Sequence, residues 1–296
     1  MYNNLIFSQD YLFPTLKLKH AHIRDKKQLL RTINTILSDG CNSLQVVTDF
    51  DLTLTKQHVN GKNVLSSFGI FSKCKQLPES YAKESGRLYK KYRPIEIDHT
   101  LSIEEKIKAM TEWMIATEAI LKGVPFDPKE IPEVSEMYGA NLREGTKELF
   151  KKLYHAKVPV LVFSAGLGDV VESILRNQGV LFDNVKIISN FLKYKDGKLE
   201  GFQNERLIHV FNKNEYALEQ DYFKVLERRK NVLLMGDTTG DASMVDGMVN
   251  ANAVLKIGFL YDNVEDSLSS YMENFDIVLV DDQTMQVPTD ILHRIL

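Results

Sequence analysis

Leu44-Gln45-Val46-Val47-Thr48-Asp49-Phe50-Asp51-Leu52-Thr53 is the stretch that decides the fold: a short apolar run ends in two acids one residue apart. A Val- and Leu-rich run closed by polar turn residues reads as a strand buried on both faces. Runs of the same kind recur at 158–163, 185–188 and 232–235, with two more at 253–257 and 277–280. Segments of helical character lie between most of them, at 145–155, 169–178, 216–229, 240–248 and 262–271. This alternation predicts an α/β fold, a Rossmann-like parallel sheet core with helices on both faces. Ligands of such sheets sit beyond the carboxyl ends of the strands, so the residues just after each run carry the chemistry.

Between the first two runs lie over a hundred residues with no strand signal, and helices are expected at 78–92 and 102–122. In the second, Ile103, Ile107, Met110, Met114, Thr117 and Leu121 share one face, and Ser102 with Glu105 makes a capping box. Residues 56–138 therefore read as an inserted helical cap domain, with 1–55 and 139–296 forming the core. A smaller insertion, 192–203, carries the Asp-Gly hairpin signal in Lys195-Asp196-Gly197-Lys198.

The 296 residues include 37 Lys and Arg against 40 Asp and Glu, a net charge of -3. That balance argues against a nucleic-acid polymer as partner. With 44% apolar residues there is enough hydrophobic content for a packed core. Cys41 and Cys74 are too few for a disulfide framework or a zinc knuckle. No basic segment followed by an apolar run opens the chain, and no run approaches the ~20 residues of a membrane helix. A cytoplasmic chain with no membrane partner is expected, with a monomer favoured.

Asp49 and Asp51, placed after a buried strand, cost desolvation unless a cation or hydrogen bonds compensate. One could attack as a nucleophile while the other works as acid and base; the alternative is a solvated turn. The fourth run ends in Gly236-Asp237-Thr238-Thr239-Gly240-Asp241. Asp237 with Asp49 suits a hard divalent cation, whereas Asp241 can be a first-turn helix acid. After the second run, Ser164-Ala165-Gly166-Leu167-Gly168 offers a hydroxyl and backbone N–H groups to a phosphate. Its half match to a dinucleotide fingerprint lacks the third glycine, where Val171 stands, so a nicotinamide or flavin site is set aside. Lys213 is the available cation, and His209 reads as structural.

These residues, in this order, carry a resemblance to the haloacid dehalogenase-like phosphohydrolases. Within them the chain is similar to the cytosolic type III 5′-nucleotidases, as Ile95-Glu96-Ile97-Asp98, Glu112-Trp113 and Ile208-His209-Val210-Phe211-Asn212-Lys213 indicate. The resemblance implies an enzyme hydrolysing nucleoside 5′-monophosphates (7-methyl-GMP, CMP, UMP) through an aspartyl-phosphate on Asp49. It implies Asp51 as acid and base, and Mg²⁺ held by Asp49, the Asp51 carbonyl and Asp237. Ser164, the Ala165 backbone and Lys213 would bind phosphate, with Thr53 and Asp241 in support. Glu96 would read the base and Thr117 help bind nucleotide. Phe68 is the better candidate for stacking the base, and Trp113 is placed rather with the core. Phosphotransfer to a second nucleoside, and a non-catalytic nucleotide-binding protein on the same fold, are the competing readings.

Overall fold

The alternation of strands and helices is realised around a seven-stranded sheet. The structure, a computed structural model, describes residues 14–98, 100–213, 229–248 and 250–296. Strand β1 (Ala21–Ile23) and helix α1 (Lys26–Asp39) precede the central strand β2 (Leu44–Thr48). The long segment that follows holds β3 (His58–Val59), β4 (Lys62–Asn63), α2 (Ser67–Phe71), α3 (Glu79–Ile97), α4 (Ile103–Leu121) and α5 (Glu130–Tyr138). Then come α6 (Thr146–His155), β5 (Val160–Leu167), α7 (Gly168–Asn177), β6 (Val185–Asn190), β7 (Leu192–Lys195) and β8 (Lys198–Phe202). The chain closes with β9 (Asn231–Gly236), β10 (Ala253–Leu260), α8 (Val264–Asn274), β11 (Ile277–Val280) and α9 (Gln286–Leu292).

The sheet order is β1-β11-β10-β9-β2-β5-β6, with β1 the antiparallel edge and the other six strands parallel. Alternate residues of each central strand serve opposite layers. Val46, Val160, Val162 and Leu233 join one apolar layer, while Val47, Leu161, Phe163, Val232 and Leu234 join the other. Burial on both faces is what makes these runs continuous rather than alternating in sequence. Because β9 and β5 flank β2, the loops that leave their carboxyl ends meet at one place. This is an α/β fold with a mostly parallel sheet and a helical insertion.

The insertion enters and leaves side by side: Thr55 bridges Leu142, Lys56 N donates to Asn141 O at 2.7 Å, and Arg143 N donates to Leu54 O at 2.9 Å. Helices α3 and α4 pack on each other through Leu88, Tyr92 and Met110, whereas α2 and α5 lie against α7 of the core. On α4 the expected face is buried at Met110, Met114, Thr117 and Leu121 but exposed at Ile103. The Ser102 capping box is present in both directions. The β7–β8 hairpin turns at Asp196 and Gly197, both with positive φ, as a two-residue turn demands. It docks on the insertion through Gly123 N to Leu199 O (2.8 Å), Phe126 N to Gly197 O (3.0 Å) and Phe202 N to Glu118 Oε1 (3.1 Å).

Several expectations are corrected. Residues 56–138 do contain a strand pair, β3–β4, turned at Asn60-Gly61 with both residues at positive φ. That dipeptide is itself a strong hairpin signal. Helix α3 does not stop at residue 92 but runs on through Pro94 to Ile97, so Glu96 lies on its last turn. In place of a helix over 240–248 there is one 3-10 turn, Thr239–Ser243, followed by turns and by Gly247 at φ 84°. The Asp241 side chain folds back onto the backbone before it, and a positive-φ glycine ends the helical path. The helix expected at 216–229 falls outside the described residues save for Arg229.

Candidate active site

Asp49 extends β2 by one bond, its N–H donating to Met235 O at 2.9 Å, which brings its carboxylate to the junction of β2 and β9. Phe50 is fully buried and anchors the loop that follows. Leu52 sits at φ 62°, and its N–H donates to Thr55 Oγ1 at 2.7 Å. A buried arginine stitches this loop down: Arg143 donates to Leu52 O at 2.6 Å, to Thr53 O at 2.7 Å and to Asp282 O. Its guanidinium lies over the Phe259 ring, 4.0 Å from the centroid, and burial lowers its pKa to about 10. Arg143 has no sequence signal of its own, since a single Arg after a loop is ordinarily solvated.

Asp49, Asp237 and Asp241 each bring a carboxylate oxygen to within 4.8 Å of the others. Lys213, 2% exposed, donates to Asp49 Oδ1 at 2.5 Å and to Asp241 Oδ1 at 2.6 Å. Burial works to lower the Lys213 pKa, but Asp241 and Asp49 outweigh it and push it up. Burial raises the Asp49 pKa to about 7, with Lys213 opposing and Asp241 adding to the rise. Close packing, with the charges of Asp49 and Asp241, drives the Asp237 pKa well above the carboxylate range. Fully ionised, the three carboxylates would carry a surplus of two negative charges over the one ammonium that contacts them, and burial and mutual repulsion resist that surplus by favouring protons on Asp49 and Asp237. A hard divalent cation with oxygen ligands meets that surplus, so the donor set fits a metal site.

Asp241 does more than cap a turn. Its Oδ2 accepts from Asp237 N (3.2 Å), Thr238 N (3.0 Å) and Thr238 Oγ1 (2.8 Å), which orders the loop carrying Asp237. Gly236 is required by this close approach, for a Cβ there would sit 2.3 Å from that of Asp241. Tyr271 on α8 donates to Asp237 O at 2.5 Å, and Thr53 Oγ1 donates to Asp237 Oδ1 at 3.3 Å. Tyr271 escapes sequence reasoning because an aromatic in a helix reads as core.

Asp51 lies apart from the three-carboxylate group. Its Oδ1 accepts from Ser67 N at 2.7 Å and its Oδ2 from Ser67 Oγ at 2.6 Å. Burial raises its pKa while the two Ser67 bonds oppose the rise. Ser164 is buried and its Oγ accepts from Gly166 N at 3.0 Å. Asn190 ties this turn to the lysine-bearing loop, donating to Ala165 O (3.0 Å) and Ile208 O (2.9 Å) while accepting from Ile208 N (2.9 Å). His209, buried beside Lys213's loop, accepts at Nδ1 from Phe211 N at 3.2 Å, and its Nε2 meets Thr111 Oγ1 at 3.1 Å on α4.

From the insertion, Glu96 Oε2 accepts from Arg93 Nη1 at 2.5 Å, and Arg93 lies near enough to Asp237 for its charge to steady that carboxylate. This pair follows from α3 continuing past Pro94. Trp113 stacks on Tyr92 with centroids 5.8 Å apart, while Phe68, next to Ser67, meets Phe202 edge-on at 6.3 Å. Thr117 is buried on α4. The recorded contacts thus gather Asp49, Thr53, Lys213, Asp237 and Asp241, and leave Thr117, Trp113 and Phe68 in side-chain packing.

The family of pyrimidine 5′-nucleotidases (UMPH-1) matches this chain over residues 52–296. A 7-methylguanosine phosphate-specific 5′-nucleotidase of Drosophila melanogaster is 46% identical over 285 residues, covering 95% of this chain and 89% of the relative. The protein of that name from Homo sapiens is 39% identical over 284 residues, covering 95% and 94%. Among solved structures, cytosolic 5′-nucleotidase IIIB bound to cytidine superposes with a TM-score of 0.91 at 46% identity over 95% of each chain. A probable phosphoserine phosphatase from Vibrio cholerae shares the fold alone, with a TM-score of 0.53 at 15% identity over 88% of this chain and 68% of that one. Family profile, close relatives and a nearly complete superposition agree, and the chain, with its α/β fold of the haloacid dehalogenase-like type, belongs to the pyrimidine 5′-nucleotidase (UMPH-1) family.

Proposed function

We propose that this chain is a Mg²⁺-dependent 5′-nucleotidase that hydrolyses 7-methyl-GMP, CMP and UMP to nucleoside and phosphate. The observation that carries this reading is the buried group of Asp49, Asp237 and Asp241 around Lys213. The names of the relatives and the cytidine held by the solved one support the substrate class. Asp49, Asp237 and the Asp51 carbonyl would hold the cation. When bound, it would supply charge neutralisation for the substrate phosphate.

Asp49 presents one carboxylate oxygen to Lys213, and the other attacks phosphorus to form an aspartyl-phosphate. Asp51 gives its proton to the departing ribose O5′ and then takes one from the water that cleaves the aspartyl-phosphate. Ser164 Oγ, the Ala165 N–H and Lys213 hold the phosphate, with Thr53 and Asp241 steadying the loops. Residues 56–138 act as a lid that excludes bulk water. Glu96, acceptor-only when ionised, reads N–H donors such as the cytosine amino group or the 7-methylguanine edge. Thr117 helps bind the nucleotide and Phe68 is the better candidate to stack the base, with Trp113 packed on Tyr92 within the lid. The reading places the enzyme in the cytoplasm as a monomer; no described helix is long and apolar enough to cross a membrane.

The test is phosphate release from CMP, UMP, GMP and 7-methyl-GMP, with Mg²⁺ and with EDTA. Release from 7-methyl-GMP or the pyrimidine nucleotides, silenced by EDTA and restored by Mg²⁺, supports the reading. Background release from all four with Mg²⁺ present refutes it.

A further inference from the structure

Ser67 is fully buried at the start of α2 and makes three hydrogen bonds to two different loops of the site. Its N–H and Oγ–H both donate to Asp51, at 2.7 and 2.6 Å, while its Oγ accepts from Leu167 N at 3.0 Å. One residue thus grips both oxygens of one carboxylate and pins it to the end of the Ser164-Ala165-Gly166 turn. The fit is close: a Cβ on Gly166 would lie 2.2 Å from Ser67 Oγ and 2.7 Å from Asp51 Oδ2. Asp49, Asp237 and Asp241 take no part in this grip, so it serves Asp51 alone. Ser67 also comes from the insertion, 16 residues along the chain from Asp51, and the acid is therefore aimed by a segment outside its own loop.

We infer that Ser67 is the positioning residue that aims the Asp51 carboxyl at the leaving oxygen of the substrate. The inference rests on the nucleotidase reading above. In the step concerned, the Asp49 oxygen forms a bond to phosphorus, the P–O5′ bond breaks, and the Asp51 proton passes to O5′. Donors on both oxygens fix the carboxylate plane and leave each oxygen a further lone pair for the proton that Asp51 gives and takes. Fixing the carboxylate plane holds the proton on the line of departure, and such placement governs the rate more than the affinity.

The test compares single-turnover nucleoside release, enzyme in excess, for the parent, Ser67→Ala and Ser67→Thr. Two substrates are used: CMP or 7-methyl-GMP, whichever the parent cleaves faster, and its analogue with sulfur replacing O5′. Sulfur departs as a thiolate without needing a proton, so the analogue bypasses the acid. Ser67→Ala is expected to slow release from the oxygen substrate about 10- to 100-fold and to leave the sulfur analogue within about threefold. Affinity should change little, and Ser67→Thr, which keeps the hydroxyl, should recover most of the loss. Equal slowing of both substrates, or no slowing of either, overturns the inference. Should Ser67→Ala not fold, Ser67→Cys has nearly the same volume and a weak donor, and the same ratio of substrates decides. A parent that releases no nucleoside at all sinks the nucleotidase reading itself, a result distinct from any variant's failure.

Discussion

Replacing Lys213 by Met removes the only ammonium among the described residues in hydrogen-bond contact with Asp49 and Asp241, while keeping most of the side-chain volume. With an effective dielectric constant near 20, contacts of 2.5 and 2.6 Å each contribute about 6–7 kcal/mol of attraction before desolvation. The three carboxylates, within 4.8 Å of one another, repel by at least about 3.5 kcal/mol per pair on the same scale. Lys213 therefore offsets repulsion that the fold cannot otherwise accommodate without protons or a cation. Breaking a buried ion pair by deleting one partner costs about 3–5 kcal/mol, the loss expected for Lys213→Met at pH 7 without metal. The variant escapes by taking up protons, and each costs about 1.4 kcal/mol per pH unit above the ordinary carboxylate value of 3.8. The loss should therefore shrink below about 2 kcal/mol at pH 5. Urea unfolding in EDTA at both pH values measures it. A loss below about 1 kcal/mol at pH 7, or one equal at pH 5 and 7, would refute this electrostatic account.

Asp49→Asn should keep the fold and lose at least about a thousandfold in turnover, since an amide cannot attack phosphorus; phosphate release at the parental rate would exclude Asp49 as nucleophile. The metal-free parent should lose stability as pH rises from about 4 to about 7, Asp49 alone contributing up to about 1.4 kcal/mol per unit, because its pKa is raised from 3.8 to about 7 and the folded state holds the extra proton; Asp237 and Asp51, raised too, add in the same direction. Denaturant midpoints in EDTA across that range check the sign. Mg²⁺ binding should release protons and tighten over the same interval, and calorimetry in buffers of different ionisation enthalpy would expose a proton-independent site. Glu96→Ala should raise KM for CMP and 7-methyl-GMP more than for UMP, because an ionised carboxylate only accepts; equal changes across the bases would remove Glu96 as the reader.

Much of the fold was legible because it follows from local rules. The runs that Asp49, Ser164 and Asp237 follow are strands; Asp49 and Asp237 stand just past β2 and β9, whereas β5 runs on through Ser164 to Leu167, with a shift of register after Phe163 in place of the expected turn. Adjacent places for β9, β2 and β5 bring those three strand ends to one site. Local rules also misled. Pro94 did not end α3, and the 240–248 segment gave up its helix so that the Asp241 carboxylate could serve the Asp237 loop. The Asn60-Gly61 dipeptide carries a hairpin signal, but the strands it joins are two residues each, too short to show an apolar alternation.

The sequence by itself determined where the six parallel strands run, that a helical insertion interrupts them, and that Asp49 and Asp237 stand just past strand ends. Apolar periodicity and turn chemistry act over a few neighbouring residues, so one dimension is enough to read them. Only the tertiary structure decided that Asp241 shares Lys213 with Asp49, that Arg143 clamps the Leu52 and Thr53 carbonyls, and that Ser67 holds Asp51. Each of these partnerships settles a buried charge or polar group, and that cost is met by whichever group lies nearest in space. Spatial neighbours 16 to 164 residues apart along the chain leave no periodic trace.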